Sequence, residues 1–61
     1  MSKLTAKELS YITDLLGMEA EACKKARLYS KTLTDQALSK EAARLADAHM
    51  RRFESLLTLL N

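Results

Sequence analysis

Three side chains that can bind a metal or exchange a proton fall on otherwise apolar helical faces of this sequence. At about 100° of rotation per residue, Glu19 lies about 20° from the middle of the apolar stripe in the first half. His49, the only histidine, lies at the middle of the stripe in the second half. Cys23 follows Glu19 by four residues and shares its face. Because isolated polar groups on an apolar seam are costly, Glu19 and His49 need a partner or a ligand.

Three interpretations of Glu19 and His49 are open. In the favoured one they form a buried hydrogen-bonded pair that fixes the register of two helices. In the second, the centre of the assembly is wet and both side chains are solvated. In the third they bind a transition metal such as Fe, Mn or Zn, with Cys23 as an additional ligand. The simpler interpretation of Cys23 is a small buried hydrophobe, so the favoured reading includes no cofactor.

The sequence lacks the residues that other kinds of active site require. A nucleophilic triad needs a third group to orient the histidine, and no glycine-rich elbow or phosphate-binding loop is present. A pair of catalytic carboxylates needs a cleft, which two helices do not supply. We therefore predict that the protein is not an enzyme and has no catalytic residue.

The elements that position these side chains are two helices. The 61 residues include one glycine and no proline, and good helix formers dominate. "TAKE" (5–8) fits a capping box that starts a helix at Ala6. The apolar pattern shifts phase within 32–38, where Thr34 and Asp35 are good N-caps. The first stripe comprises Leu9, Ile12, Leu16, Cys23 and Ala26, flanked by Leu15 and Leu33, with Tyr11, Met18, Ala22 and Tyr29 on a wetter edge. The second comprises Leu38, Ala42, Leu45, His49, Phe53, Leu56 and Leu60, with Ala46, Met50 and Leu57 on its second flank.

These features predict an all-α fold with a single domain over 1–61, built as a helix over about 6–33, a turn at 34–35 and a helix over about 36–60. An antiparallel hairpin is favoured over one continuous coiled-coil helix. Glu19 and His49 are nearly equidistant from the turn, so they are expected at the same height. The wide stripes predict that two hairpins pair as a four-helix (ferritin-like) bundle, where both copies of Glu19 and His49 converge at the centre.

The amino-acid composition limits the kinds of partner that we expect for this protein. A formal charge of +2, from 10 basic and 8 acidic residues, is well mixed along the chain and does not predict nucleic-acid binding. No apolar run reaches the ~20 residues of a membrane span. One cysteine allows no intrachain disulfide, so a chain this short needs self-association or a metal. We expect a cytoplasmic protein whose main partner is itself, as a homodimer or higher oligomer.

Two local features carry smaller predictions. Gly17 costs about 1 kcal/mol relative to alanine inside a helix. Close helix approach or a slight bend explains it better than room for a ligand beside Glu19. The spacing of Glu21 with Lys25, and of Asp47 with Arg51, predicts exposed ion pairs within each helix.

The chain resembles the short spore coat protein F-like domain of sporulating Firmicutes. The likeness rests on "LTxKELSYIxDxLxME" (4–19), on "TD" before "xALxK", and on "AxxHxxRFExLLxLL" (46–60). It covers nearly the whole chain, through helical patterns and not catalytic signatures. The resemblance implies a ferritin-like hairpin, dimeric or duplicated into four helices, with a coat-associated or unknown role. It adds the spore coat as an alternative location and other coat proteins as partners.

A ferritin-like comparison also bears on the metal. Di-iron bundles take one Glu from each of two helices and Glu-x-x-His from each of the other two. By this resemblance Glu19 matches the lone Glu and His49 the His, but Ala46 stands where the motif has Glu. A di-iron oxidase is therefore disfavoured, while a mononuclear site or a purely structural pair stays open. Docking onto another protein's helices is a third possibility, although the Ser-Gln-x-Leu-Asp motif of small helical phosphatases is absent.

Overall fold

The hairpin predicted from the sequence is confirmed in the computed structural model, which describes residues 3–61. Within that range the chain forms α1 (Ala6–Thr32) and α2 (Gln36–Thr58) and no strand. Contacts between Glu19 and His49 and between Ser30 and Ser39 show that the helices run antiparallel side by side. The alternative of one continuous helix is wrong. Residues 1 and 2 of the predicted domain lie outside the described residues.

Side-chain caps start both helices where the sequence predicts. Thr5 Oγ1 accepts a hydrogen bond from the Glu8 backbone N–H at 3.0 Å, and Glu8 Oε1 accepts from the Thr5 N–H at 2.9 Å. Asp35 caps α2 by accepting from the Leu38 N–H at 2.9 Å. The helices end one to two residues earlier than predicted, at Thr32 and Thr58. Leu33 leaves the helix because its backbone is extended, with ψ 132°.

The interior of the hairpin is thin. Among residues 3–61, the buried side chains are those of Ile12, Cys23, Ala26 and Ala46, and Ala46 has 0% exposure. Two packed helices enclose only one line of contact, so large apolar side chains on either side of that line stay in solvent. The exposed large hydrophobic residues are Leu9, Tyr11, Leu15, Met18, Leu28, Tyr29, Leu33, Leu38, Leu45, Met50, Leu57 and Leu59.

Gly17 does not mark a close approach of the helices, so that interpretation is wrong. A Cβ built on Gly17 meets no atom within 4 Å. We expect Gly17→Ala to stabilise the protein by about 1 kcal/mol, because alanine restricts the unfolded chain and its methyl group clashes with nothing in the fold. Urea unfolding checks this as a rise in the midpoint at constant slope. Lys24→Gly, at an exposed position of the same helix, is the reverse control and should lose a similar amount. An unchanged or lower midpoint for Gly17→Ala would contradict the prediction.

Candidate functional site: a half-buried Glu–His pair

The hairpin brings Glu19 and His49 into direct contact, as their equal distances from the turn predict. His49 Nδ1 lies 2.5 Å from Glu19 Oε1, and each side chain is only 19% exposed. A neutral imidazole protonated at Nδ1, or an imidazolium, donates this hydrogen bond to the carboxylate. The contact satisfies two polar groups that the apolar seam would otherwise penalise. Within one hairpin, this contact differs from the second interpretation, in which the two side chains are solvated separately.

Arg52 is a third member of the cluster that the sequence reasoning missed. Its Nη1 lies 3.8 Å from Glu19 Oε1 and 3.1 Å from His49 Nδ1. An Nδ1–H that donates to Glu19 leaves this nitrogen no lone pair for Arg52, so the guanidinium then acts on the carboxylate through its charge. The sequence did contain an indication of this contact: His49 and Arg52 are three residues apart, which puts both on one helical face.

The chemistry of this cluster suits a structural pair better than a metal centre. A guanidinium beside the carboxylate repels an incoming cation. Among residues 3–61, no group of three or more His, Cys, Asp or Glu side chains is placed to hold a metal ion. One chain therefore offers Glu19 and His49 as ligands, and further donors would have to come from a second chain. Metal binding by these residues stays a prediction.

Two surface grooves flank the helix–helix seam, and Cys23 and Glu19 line different ones. We call the first the Cys23 groove and the second the Glu19 groove. By helical rotation they open on opposite sides of the hairpin. A third metal ligand from Cys23 therefore has no support in the single chain, and its burial with Ala26 and Ala46 fits a small hydrophobe. The Cys23 groove is lined by Ala20, Cys23, Lys24, Arg27, Leu28, Lys31, Met50 and Phe53, and the Glu19 groove by Leu15, Glu19, Ala48, Arg51, Arg52, Ser55, Leu56 and Leu59.

Removal of each partner of the Glu19–His49 pair should have unequal effects. Glu19→Ala leaves the His49 N–H and the Arg52 guanidinium without their carboxylate, and we expect a loss of about 1–3 kcal/mol. His49→Leu replaces the imidazole with an apolar side chain of similar volume and leaves Arg52 beside Glu19. We expect that variant to be neutral or stabilised. Thermal melts of both variants decide the matter, and a strongly destabilised His49→Leu would indicate that the histidine is required for another reason.

A surface ion pair also joins the helices. Arg27 Nη2 donates to Asp47 Oδ1 at 2.6 Å. The ion-pair partner of Asp47 is therefore Arg27 and not the predicted Arg51, which acts on Asp47 only through its charge. The ion pair predicted between Glu21 and Lys25 is also wrong, because Glu21 pairs with Lys24 at 3.8 Å. The hydrogen bond from Arg27 lowers the pKa of Asp47, helped by the charges of Arg27 and Arg51. The same hydrogen bond raises the pKa of Arg27, so the guanidinium stays charged throughout.

The Arg27–Asp47 bridge should make stability depend on acidic pH. The folded-state pKa of Asp47 is depressed, so its contribution is full above the unfolded-state pKa of about 3.9 and disappears as pH falls through the lower folded value. Urea midpoints of the wild type and Asp47→Asn should thus differ at pH 5 and converge towards pH 2. Asp14→Asn, at another exposed aspartate, is the control and should follow the wild type. A difference that persists undiminished at pH 2 would contradict the assignment.

Two antiparallel helices joined by a short turn, with a carboxylate–imidazole pair across their seam, define the protein as an all-α helical hairpin. Comparison with protein-family profiles, curated proteins and solved structures found no match. The resemblance to spore coat F-like proteins therefore stays a prediction from the sequence pattern. Neither helix within residues 3–61 is both long and apolar enough to cross a membrane.

Proposed function

We propose that the protein is a non-enzymatic helical module that self-associates into a four-helix bundle and serves a structural or protein-interaction role. The observation that carries this proposal is the large apolar surface on a chain with a thin core. In the described part of the chain only Ile12, Cys23, Ala26 and Ala46 are buried. Chains of this size are marginal on their own, and contiguous exposed apolar patches mark interaction sites.

Most of the exposed apolar side chains share one side of the hairpin. Among the twelve exposed large hydrophobic residues of the described range, helical rotation places eight on the side where the Glu19 groove opens. The other four, Leu9, Leu28, Met50 and Leu57, lie on the opposite side, where Leu28 and Met50 line the Cys23 groove. We call this surface the tyrosine face. Covering it with a second hairpin completes the two-layer packing that a lone helix pair lacks. The tyrosine face consists of Tyr11, Leu15, Met18, Tyr29, Leu33, Leu38, Leu45 and Leu59.

The Glu19–His49 pair suits this role because it favours one alignment of α2 along α1. A one-turn slip of α2 along α1 would separate the carboxylate from the imidazole by about 5.4 Å. Both half-buried groups would then lose their partner, which favours the observed alignment. The pair thereby sets which apolar residues of α1 and α2 stand side by side on the tyrosine face.

Self-association is tested by the dependence of thermal unfolding on protein concentration. A folded dimer in equilibrium with unfolded or monomeric chains is stabilised by mass action, so its Tm rises with concentration. Circular dichroism melts between about 5 and 500 µM should show this rise. A cooperative melt whose Tm is the same across that range would overturn the proposal.

The alternative function is a metal-binding bundle that uses Glu19 and His49. One observation favours it: metal-ligating histidines commonly donate their other ring N–H to a carboxylate, as His49 Nδ1 does to Glu19. Protein purified without chelator and loaded with Fe, Mn or Zn is analysed for metal beside the His49→Ala variant. Metal in the wild type alone supports the alternative, and no metal in either removes it.

A role in the spore coat is the proposal that the sequence resemblance supports. Its partners would be the protein itself and other coat proteins, with the cytoplasm as the site where the chain is made. Affinity capture from sporulating cells, with Leu45→Glu as the bait that lacks an intact tyrosine face, tests this assignment. Recovery of coat proteins with the wild type alone supports it, and their absence from both captures contradicts it.

A further inference from the structure

We infer that the tyrosine face binds a second copy of this chain in one particular geometry, with α1 antiparallel to the partner's α1 and α2 antiparallel to the partner's α2. The two-fold axis passes Ala22 and runs between Ala46 and Asp47. The hairpin turns then lie at opposite ends of the bundle. This geometry rests on the proposed self-association and specifies the residues that meet across it.

The exposed apolar residues of α1 on the tyrosine face include two pairs placed symmetrically about Ala22. Leu15 and Tyr29 lie seven residues before and after Ala22, and Tyr11 and the C-cap residue Leu33 lie eleven residues before and after it. An antiparallel copy therefore sets Leu15 opposite the partner's Tyr29 and Tyr11 opposite the partner's Leu33.

The centre of this contact is small. Ala22 is half-buried, and its short side chain lets the two backbones approach closely. Met18 falls level with the partner's Ala26, which packs inside its own hairpin at 6% exposure, so Met18 covers that part of the partner's α1 without an exposed counterpart.

Contacts across the hairpin fix which part of α2 is level with Ala22. Glu19 meets His49, and Ser39 Oγ donates to the Ser30 carbonyl at 2.6 Å. In an antiparallel pair these contacts place Ala22 level with 46–47 on α2. The axis that passes Ala22 on α1 thus crosses α2 between those two residues.

The positions of charged residues on α2 give independent support for an axis between residues 46 and 47. Antiparallel pairing about the point between 46 and 47 sets Glu41 opposite the partner's Arg52 and Leu45 opposite the partner's Ala48. Symmetry makes two such Glu–Arg pairs, one on each side of an apolar centre. Within one hairpin Glu41 pairs with Arg44, and Arg52 lies 3.8 Å from Glu19. Both side chains are mostly in solvent, at 66% and 55% exposure, so pairing across the dimer exchanges these surface contacts for one between the copies. A parallel arrangement of α2 would instead oppose like charges, which disfavours it.

The same geometry separates the two Glu19–His49 pairs. An axis at Ala22 sets Glu19 opposite the partner's Lys25, so the two Glu19 residues are displaced by six residues, about 9 Å along the bundle. The expectation that both copies converge at one central point does not hold in this arrangement. Each pair then acts within its own hairpin, and no shared metal site forms between the copies.

Disulfide crosslinking tests the axis directly, in a Cys23→Ala background. Ala22→Cys places two thiols at the two-fold axis, and we expect a disulfide-linked dimer on mild oxidation. Met18→Cys is the matched control, since its two copies lie eight residues apart, about 12 Å along the axis. A disulfide requires Cα atoms within about 7 Å. Leu15→Cys combined with Tyr29→Cys should crosslink, while either substitution alone should not.

The crosslinking pattern separates the possible failures. If Met18→Cys links as fully as Ala22→Cys, the two α1 helices are parallel or the contact is non-specific, and the inferred geometry is wrong. If Ala22→Cys does not link although sedimentation shows a dimer, only the geometry fails. If the chain is monomeric throughout, the proposed self-association itself fails.

A charge reversal gives an independent readout that needs no thiol. Glu41→Lys turns both Glu–Arg pairs into repulsive ones, and we expect the dimer Kd to rise about tenfold at low salt. Glu54→Lys makes the same charge change on an exposed position of α2 outside the tyrosine face, and is expected to leave Kd unchanged. Equal weakening by the two variants, measured by sedimentation, would overturn the assignment of Glu41 to the interface.

Discussion

Leu45→Glu should convert the proposed dimer into a monomer. Leu45 is 50% exposed and lies on the tyrosine face, beside the inferred two-fold axis. The substitution puts two carboxylates into the centre of an apolar interface, where burial of a charge without a partner is strongly unfavourable. We expect Kd to rise at least about 100-fold, the effect of losing a central interface residue. Sedimentation velocity over a concentration series measures the change.

Met50→Glu is the matched control for Leu45→Glu. Met50 has a similar exposure, 42%, and lies on the same helix, but it lines the Cys23 groove on the opposite side of the hairpin. We expect this variant to keep the wild-type Kd. If both variants dissociate to the same extent, or if Leu45→Glu stays dimeric, the tyrosine face is not the interface.

Ala46→Glu should unfold the hairpin. Ala46 is 0% exposed and packs with Cys23 and Ala26, so the helices leave no space for a longer side chain. Overpacking costs about 1–3 kcal/mol, and burial of an unpaired carboxylate adds a further penalty. The sum removes a large part of the stability of a domain of this size. Far-UV circular dichroism and thermal melts check the expected loss of the cooperative transition.

Ala37→Glu makes the same substitution at an exposed position in the first turn of α2. A negative charge there interacts favourably with the helix dipole, so we expect no loss of stability. A cooperative melt of Ala46→Glu near the wild-type Tm would contradict the packing described for this residue. Recovery of the fold of Ala46→Glu on addition of Fe or Mn would instead favour the metal-binding alternative, since the substitution completes a Glu-x-x-His motif.

Local signals made the helices predictable. Thr5 with Glu8, and Asp35, start helices through hydrogen bonds that depend only on neighbouring residues. The meeting of Glu19 and His49 followed from counting residues on either side of a turn, because both helices rise by the same distance per residue. These parts of the fold needed no knowledge of packing.

Long charged side chains were predicted less well. Asp47 has Arg51 within reach on its own helix and Arg27 within reach across the hairpin, and spacing along the sequence shows only the first. Arg27 provides the hydrogen bond. Arg52 was missed because the sequence does not show how far a flexible side chain folds back towards Glu19. The choice among such partners depends on the distance between helices, which no single-helix pattern contains.

The face proposed to bind a second copy could likewise not be identified from the sequence, because the apolar stripe is too broad to separate it from the seam between the helices. From the sequence, Leu9 and Leu15 are equally good candidates for the seam, at equal angles on either side of Ile12. The structure buries Ile12 between the helices and leaves both flanks in solvent, with Leu9 at 46% exposure on one side and Leu15 at 44% and Tyr11 at 56% on the other. Only then does the symmetric spacing about Ala22 define a separate face.

Self-association is the central claim, and sedimentation equilibrium of the wild-type protein tests it most directly. The described residues form a folded hairpin with a thin core and an apolar side, for which a second copy is the proposed cover. At micromolar concentration we predict a species of twice the 6.9 kDa chain mass that dissociates on dilution. A folded helical monomer of 6.9 kDa at every concentration, up to the millimolar range, would contradict the account.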